Sequence, residues 1–284
     1  MILLRLFSRL PFPVLYFISD FLFVIAYYIV GYRKKLVRQN LMNSFPEKSE
    51  HEIRGIERDF YRHLCDYSVE TLKLLTVSAD ELRKRMRYTN PEVVFQYRDQ
   101  GTSVILLSSH QFNWEWLLVS GVLSLGVPID FVYQPISNAF TDRLIQSCRT
   151  RFGGHPVKRN EVARELAKRK KIIRGIAIVA DQYPGHAQDK KYETRFLNQD
   201  TVFFFGSQQM AELTQYPAVY ADVERVSRGY YTCTLVHIGD PPYEKNSTGV
   251  VENYARAVER VIQQHPSGWL WSHNRWKKRH LQEA

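Results

Sequence analysis

His110 and Glu115 are separated by four residues and follow directly on the aliphatic run Val104 to Leu107. A histidine with a carboxylate near it can act as a general base. The carboxylate fixes the imidazole tautomer and stabilises the imidazolium, while the second ring nitrogen takes a proton from an attacking hydroxyl. Such a base is worth roughly 10² to 10⁴ in rate. No Gly-x-Ser-x-Gly elbow and no well-placed cysteine offers a nucleophile for a covalent intermediate, so direct transfer to an acceptor's own hydroxyl is the expected chemistry. Zinc would need a further convergent His or Cys, and none is nearby in sequence; neither a metal nor a cofactor is expected. On its own, a histidine and an acid at this spacing are common, and the rest of the chain decides what they do.

The pair needs a strand behind it and a helix ahead of it. Val104 to Leu107 reads as a buried strand, and Asn113 is a good N-cap for a helix opening at Trp114 and running towards Gly126. His110 therefore sits where a strand ends and a helix begins, and in open α/β sheets ligands bind beyond the carboxyl ends of the strands. Pro128 to Tyr133 reads as a second strand, ended by Gln134-Pro135; Asn138 to Arg149 reads as a helix, and Asn160 to Lys171 as a strongly basic one. Gly175 to Ala180 is a third apolar strand, and it too ends in a polar pair, Asp181-Gln182. Tyr183 to Asp200 has little periodicity and is expected to be a loop over the site. The aromatic run Val202 to Phe205 either lines an apolar tunnel or packs in the core. Gln208 to Leu213 is expected to be helical, Pro217 to Arg225 and Tyr230 to Ile238 alternate as strands around Arg228-Gly229, and Gly249 to Gln264 is an amphipathic helix. Strands alternating with helices predict an α/β fold with a mixed sheet flanked by helices.

Before this region, the only charge from Val14 to Tyr32 is Asp20, and the segment approaches the roughly 30 Å thickness of bilayer hydrocarbon. Tyr27, Tyr28 and Tyr32 mark one interface, followed by Arg33, Lys34, Lys35 and Arg38; only Arg5 and Arg9 precede the span, which places the bulk of the chain in the cytoplasm. A helix lying in the leaflet is a variant of the same membrane reading. Residues 1–32 are thus expected to be a membrane anchor and residues 33–284 the functional domain. Lys34 to Phe45 suggests a short helix, and Ser49 with Glu52 forms a capping box ahead of a helix carrying Ile53, Ile56, Phe60, Leu64 and Tyr67 on one face. The excess of 39 basic over 29 acidic side chains points to an anionic partner. Cys65, Cys148 and Cys233 are far apart, which argues against a disulfide scaffold and for a reducing compartment. The lack of a Gly-rich phosphate loop disfavours a nucleotide-hydrolysing enzyme. At the C-terminus, aromatics interleave with Arg275, Lys277, Lys278 and Arg279, but the membrane segment argues against nucleic acid as the partner.

Together these segments resemble the bacterial lipid A biosynthesis acyltransferases, within the wider group of glycerolipid acyltransferases that carry a His-x4-Asp/Glu motif. The matching blocks are Arg33 to Pro46, a basic stretch followed by Asn-Leu and Phe-Pro, and His110 to Glu115. Gln134-Pro135 with Asn138, Asp142 and Arg149 follows, then Asp181-Gln182, Phe204-Phe205-Gly206 and Trp271-Ser-His-Asn-Arg275-Trp-Lys277. The resemblance implies an enzyme on the cytoplasmic face of the inner membrane that takes a fatty acyl chain from a thioester, usually on acyl carrier protein, and places it on a hydroxyl of a lipid acceptor. It makes His110 the base and Glu115 its orienting partner, and gives Arg149 the oxyanion or an acceptor phosphate to hold. Asp181 would position the acceptor or the arginine, and Gln182 and Asn113 are further candidate substrate contacts. The basic faces would meet anionic headgroups and the acidic carrier protein. Two departures, Gln-Phe-Asn-Trp inside the motif and Gln134-Pro135 where better-known members often show Arg-Pro, leave a lysophospholipid or an aminolipid open as acceptor beside a lipid A-type molecule. The non-enzyme alternative is a membrane-anchored lipid- or carrier-protein-binding module, against which the intact His110, Glu115, Arg149 and Asp181 argue.

Overall fold

A computed structural model describes residues 2–185 and 188–277 of the chain. Lys278 and Arg279 of the C-terminal basic cluster lie outside the described residues. In chain order, helices α1 (Ile2–Ser8), α2 (Phe12–Val24, continued by the π-helical turn Ile25–Ile29), α3 (Lys34–Ser44), α4 (Glu50–Lys73) and α5 (Ala79–Arg85) come first. Strand β1 (Met86–Tyr88), α6 (Glu92–Asp99), β2 (Val104–Ser108), α7 (Trp114–Ser124), β3 (Ile129–Tyr133), α8 (Ala139–Arg149), β4 (His155–Lys158), α9 (Val162–Lys168) and β5 (Gly175–Val179) follow. The last part holds β6 (Lys191–Phe196), β7 (Gln199–Phe204), α10 (Gly206–Thr214), β8 (Ala218–Ser227), β9 (Tyr230–Gly239) and α11 (Gly249–Gln264).

The aliphatic run at 104–107 becomes a central strand because both its faces are covered. Every residue of β2 is buried, with Ile105 and Leu107 packing among one set of helices and Val104 and Leu106 among another. A parallel strand covered on both sides needs this continuous apolar run and does not alternate. The strand order β1-β9-β8-β2-β5-β3-β4 forms a seven-stranded sheet, antiparallel between β8 and β9 and parallel elsewhere. The α/β class and the mixed sheet flanked by helices are therefore as the alternation predicts. One face carries α10 and α11 with part of α3 and α4, including Val258, Val261, Leu41 and Phe60. The other carries α5, α6, α7 and α8, including Leu82, Val94, Trp116 and Cys148.

The capping box forms: the Ser49 backbone N–H donates to Glu52 Oε2 at 2.8 Å, and Glu52 N donates to Ser49 Oγ at 3.3 Å. One expectation is corrected. The segment expected to be a loop up to Asp200 contains the antiparallel hairpin of β6 and β7. Its tight turn is Leu197-Asn198, both with positive φ (49° and 61°). Two-residue hairpin turns of this kind normally announce themselves with Asn-Gly or Asp-Gly. Here the turn is fixed by tertiary contacts: Leu197 N donates to Glu259 Oε1 at 2.6 Å and Asn198 Nδ2 to the Ser44 carbonyl at 3.1 Å. Within the aromatic run at its end, Phe203 and Phe205 are buried in the core while Phe204 faces the cavity described below.

The N-terminal segment folds back onto the domain. Leu15, Ser19, Phe23 and Tyr27 recur at four-residue spacing and turn inward, and α2 packs along α4. Phe12–Ile29 is apolar and long enough to cross a membrane, yet only 22% of it is buried by the rest of the chain, and the exposed apolar remainder marks it for membrane association.

Candidate active site

Strand register brings the first two functional groups together. β2 and β5 pair in parallel from Val104↔Gly175 to Ser108↔Val179. Continuing past both carboxyl ends in the same register puts His110 beside Asp181. His110 Nδ1 lies 2.6 Å from Asp181 Oδ1, and the His110 backbone N–H donates to Asp181 Oδ2 at 3.0 Å. With an ionised carboxylate against it, Nδ1 carries the ring proton and Nε2 is left as the acceptor, the state a general base requires. Gln182 is at that second nitrogen, its Nε2 amide 3.2 Å from His110 Nε2. Burial by itself would push the Asp181 carboxyl up, but the facing His110 ring, both His110 hydrogen bonds and the bond from Trp269 outweigh it and hold the group down, at about 2.

Glu115, expected to orient His110, does not touch the ring. Its two oxygens take Arg149 Nε at 2.8 Å and Arg149 Nη2 at 2.6 Å, a bidentate pair with the Glu115 side chain almost fully buried. The reason is local. His110 precedes α7 across a non-helical turn in which Phe112 takes φ 48°, so the five-residue step to Glu115 does not follow helical geometry. His110 points to the end of β5, while Glu115, in the first turn of α7, points to the end of α8. Arg149 is thus placed by Glu115; Glu115 uses Nε and Nη2, leaving the third guanidinium nitrogen to other partners. Asp181, expected to position the acceptor or the arginine, holds the histidine instead.

Asn113 also departs from its expected role as a substrate contact. It does cap α7, with Oδ1 accepting from Trp116 N at 2.9 Å, but its side chain is wholly buried and its Nδ2 donates to Glu70 Oε2 at 2.7 Å. Both ends of the amide are spent inside the protein.

His110, Glu115, Arg149 and Gln182 line a cavity of about 470 Å³ that runs beneath α7. Its walls are largely aliphatic and aromatic: Leu117, Leu118, Gly121 and Leu125 come from α7, Leu106 and Phe131 from the sheet, with Tyr88 and Leu235 beyond. From Glu115 to Leu125, the length along α7 is about 15 Å at 1.5 Å per residue. The polar groups gather at the end where α7 begins, and the apolar walls follow the helix away from them. Among the described residues, no group of His, Cys, Asp or Glu side chains gathers to hold a metal ion.

Over residues 1–278 the sequence matches the model of the bacterial lipid A biosynthesis acyltransferase family. The chain belongs to that family. It is also similar to the lipid A biosynthesis palmitoleoyltransferase of Escherichia coli K12, 22% identical over 283 residues that cover 99% of this chain and 90% of the other. The lipid A biosynthesis acyltransferase of Shigella flexneri is similar to the same extent, with the same identity and coverage. The protein is an acyltransferase, and the groups around His110 are its candidate machinery.

Three supports of that acyltransferase site escape a reading of the sequence. Trp269 Nε1 donates to Asp181 Oδ2 at 2.7 Å, and the strap it belongs to holds the histidine backbone, with Leu270 N donating to the His110 carbonyl at 3.1 Å and Phe112 N to the Gly268 carbonyl at 2.7 Å. Asn40 Nδ2 in turn donates to the Trp271 carbonyl at 2.9 Å, so the basic N-terminal block clasps the C-terminal one. Glu70, wholly buried on α4, accepts from Asn113 Nδ2, from Tyr231 Oη at 2.9 Å and from Tyr16 Oη at 2.8 Å, tying α2 to the cap of α7. Nothing in the local pattern marks any of these; each depends on which elements become neighbours.

Burial pushes the Glu70 carboxyl up, with nearby Asp66 adding to it, and the bonds from Asn113, Tyr16 and Tyr231 only partly offset the rise, leaving it at about 7. A carboxyl that binds its proton more tightly in the folded state stabilises the fold fully below its ordinary value, and this contribution is lost as pH rises through about 7. Between pH 4.5 and 7, wild type should therefore lose on the order of 3 kcal/mol of stability from this group. Glu70→Gln, which stays neutral, should lose that much less, as read from urea midpoints of the two proteins at both pH values. Parallel pH dependence in the two would show that Glu70 is ionised throughout.

Proposed function

We propose that the enzyme moves a fatty acyl chain from an acyl thioester, carried by acyl carrier protein, to a hydroxyl of a lipid A-type acceptor at the cytoplasmic side of the inner membrane. In this reading residues 1–32 hold the protein to the membrane and residues 33–284 carry out the transfer. The acceptor hydroxyl gives its proton to His110 Nε2 as its oxygen bonds to the thioester carbonyl carbon. The carbonyl oxygen becomes an oxyanion, for which Arg149 is a donor on the cavity wall, and the Gln182 amide becomes a second once the acceptor hydroxyl displaces it from His110 Nε2. Collapse of this intermediate breaks the C–S bond, and the departing sulfur takes the proton back from the imidazolium, so that ester and thiol leave a neutral histidine. Asp181 keeps its charge throughout and steadies the imidazolium.

The observation that carries this reading is the placement of His110: one ring nitrogen is fixed by a buried carboxylate, and the other, beside the Gln182 amide, stands at the polar end of a largely apolar cavity. The similar E. coli protein is named for transfer of a palmitoleoyl group, a fatty acyl chain of the kind such walls would hold.

Mass spectrometry of lipids from a strain lacking the gene tests the acceptor. The expected result is a lipid A species short of one acyl chain, restored by the wild-type gene. An unchanged lipid A with a missing chain on a phospholipid or an aminolipid would overturn the acceptor and keep the chemistry. The same strain tests the cavity through Gly121, where an added Cβ would stand 2.9 Å from the Tyr88 hydroxyl. Gly121→Leu fills the channel midway along α7, so complementation should deliver a shorter chain. Full-length chains at the wild-type rate would remove the acyl group from this cavity.

A further inference from the structure

The polar residues of α2 all bond to the rest of the protein, Ser19 buried, Tyr16 half-buried and Asp20 from the exposed edge of the helix. Tyr16 Oη donates to Glu70 Oε1 at 2.8 Å, and Ser19 Oγ donates to Asp66 Oδ1 at 2.7 Å. Asp20 pairs with Arg228 at 2.7 Å, and the same guanidinium bridges to Asp66. Further along, Phe23 lies under the Arg62 guanidinium, and Tyr27 packs beside Tyr61 with Lys34 over its ring. The partners on α4 run backwards from Glu70 through Asp66 and Arg62 to Tyr61, so α2 and α4 lie antiparallel along this whole stretch.

That pairing limits how α2 can meet a membrane. If α2 crossed the hydrocarbon while docked, it would carry α4 to the same depth, with Arg58 and Arg62 exposed on its surface. Charges are the costliest groups to place there. If it crossed after undocking, Asp66, Glu70 and Arg228 would lose partners inside the protein, and the polar ends of Tyr16, Ser19 and Asp20 would enter lipid unpaired. Neither is required if the helix lies flat. Its outward face is already suited to that, because Val14, Phe17, Phe21, Val24 and Tyr28 recur at alternating three- and four-residue steps and are exposed, Phe17 by 75% and Phe21 by 63%. Ile2, Leu3 and Leu6 of α1 extend the apolar surface at one end and Ile29, Val30 and Tyr32 at the other. Exposed Arg5 and Arg9 stand at the first end, and exposed Arg33 and Lys35 at the second, where a flat helix would bring them level with headgroups.

We propose that α1 and α2 form an in-plane docking surface for an anionic lipid leaflet, immersed along the Val14 to Tyr28 stripe and entering the membrane from one side only. The proposal rests on the membrane location given above and is independent of the acyl-transfer chemistry. Its test uses the full-length protein in vesicles of phosphatidylethanolamine and phosphatidylglycerol, with a cysteine placed singly at Val14, Phe17, Phe21, Val24 or Tyr28 and carrying a nitroxide. The native Cys65, Cys148 and Cys233 are buried, which keeps background labelling low. Depth measured by paramagnetic relaxation should be the same at all five positions, at about 5–10 Å below the headgroup boundary. In the same vesicles, a membrane-impermeant maleimide added outside should reach Arg9→Cys, at headgroup level, and the domain position Lys84→Cys in equal fractions. A depth profile that peaks at Phe21, about 10 Å below its ends by the helical rise, with Arg9→Cys protected wherever Lys84→Cys reacts, would overturn the in-plane geometry and leave the membrane location standing. Five labels that all report water would overturn the membrane location as well.

Discussion

Alanine in place of His110 is expected to lower acyl transfer by roughly 10² to 10⁴ while leaving the fold intact. The imidazole is 17% exposed and faces the cavity, so its removal opens no closed void. Asp181 Oδ2 keeps the backbone N–H of residue 110 and Trp269 Nε1 as donors, and Oδ1 is left facing the space the imidazole vacates, which opens on the cavity. Asp181→Asn should fall in the same range for a different reason. An amide set against Nδ1 can donate to it, which moves the ring proton to Nε2 and blocks the acceptor lone pair. Because the Asp181 carboxyl is held at about 2, it stays ionised across the working pH range, and wild type should lose no activity there through its protonation. Initial rates with a thioester donor in washed membranes, together with thermal unfolding of each variant, measure both effects. A His110→Ala protein that retains activity within about threefold of wild type would exclude the histidine as base, since a positioned base contributes far more than this.

The local features were legible in the sequence, and the pairings were not. Continuous aliphatic runs at 104–107 and 175–180 mark buried parallel strands on their own, and Asn113 and the Ser49/Glu52 box mark helix starts, because each depends on residues within one turn of chain. That His110 answers to Asp181, 71 residues away, depends on β5 lying beside β2 in the sheet, with β3 displaced to the far side of β5. Chain order gives no such rule, and a carboxylate near in sequence was the natural candidate. The same holds for Trp269, whose indole reaches Asp181 only because the C-terminal strap crosses the ends of both strands. Phe112 hides the break between His110 and Glu115, since nothing about a phenylalanine foretells a left-handed backbone.

Removing the Glu115 carboxylate should act first on stability and acceptor binding, which separates it from the histidine's partner. Glu115→Ala leaves the Arg149 guanidinium without its bidentate partner in a largely buried position, and breaking one side of such a pair costs about 3–5 kcal/mol. Arg149→Ala strands the carboxylate in the same way. The double variant removes both charges, so it should be more stable than the sum of the single losses predicts, by about 0.5–3 kcal/mol. Kinetics complete the distinction. If Glu115 serves by placing Arg149, Glu115→Gln should raise KM for the acceptor or lower kcat through the oxyanion, and the loss should not add to that of Arg149→Ala in the double variant. If Glu115 steadied the histidine across some unseen rearrangement, Glu115→Gln would match Asp181→Asn and would lose nothing further in combination with it. Additivity of Glu115→Gln with Asp181→Asn, and its absence with Arg149→Ala, is the expected pattern, because the two carboxylates hold two different groups at the one cavity.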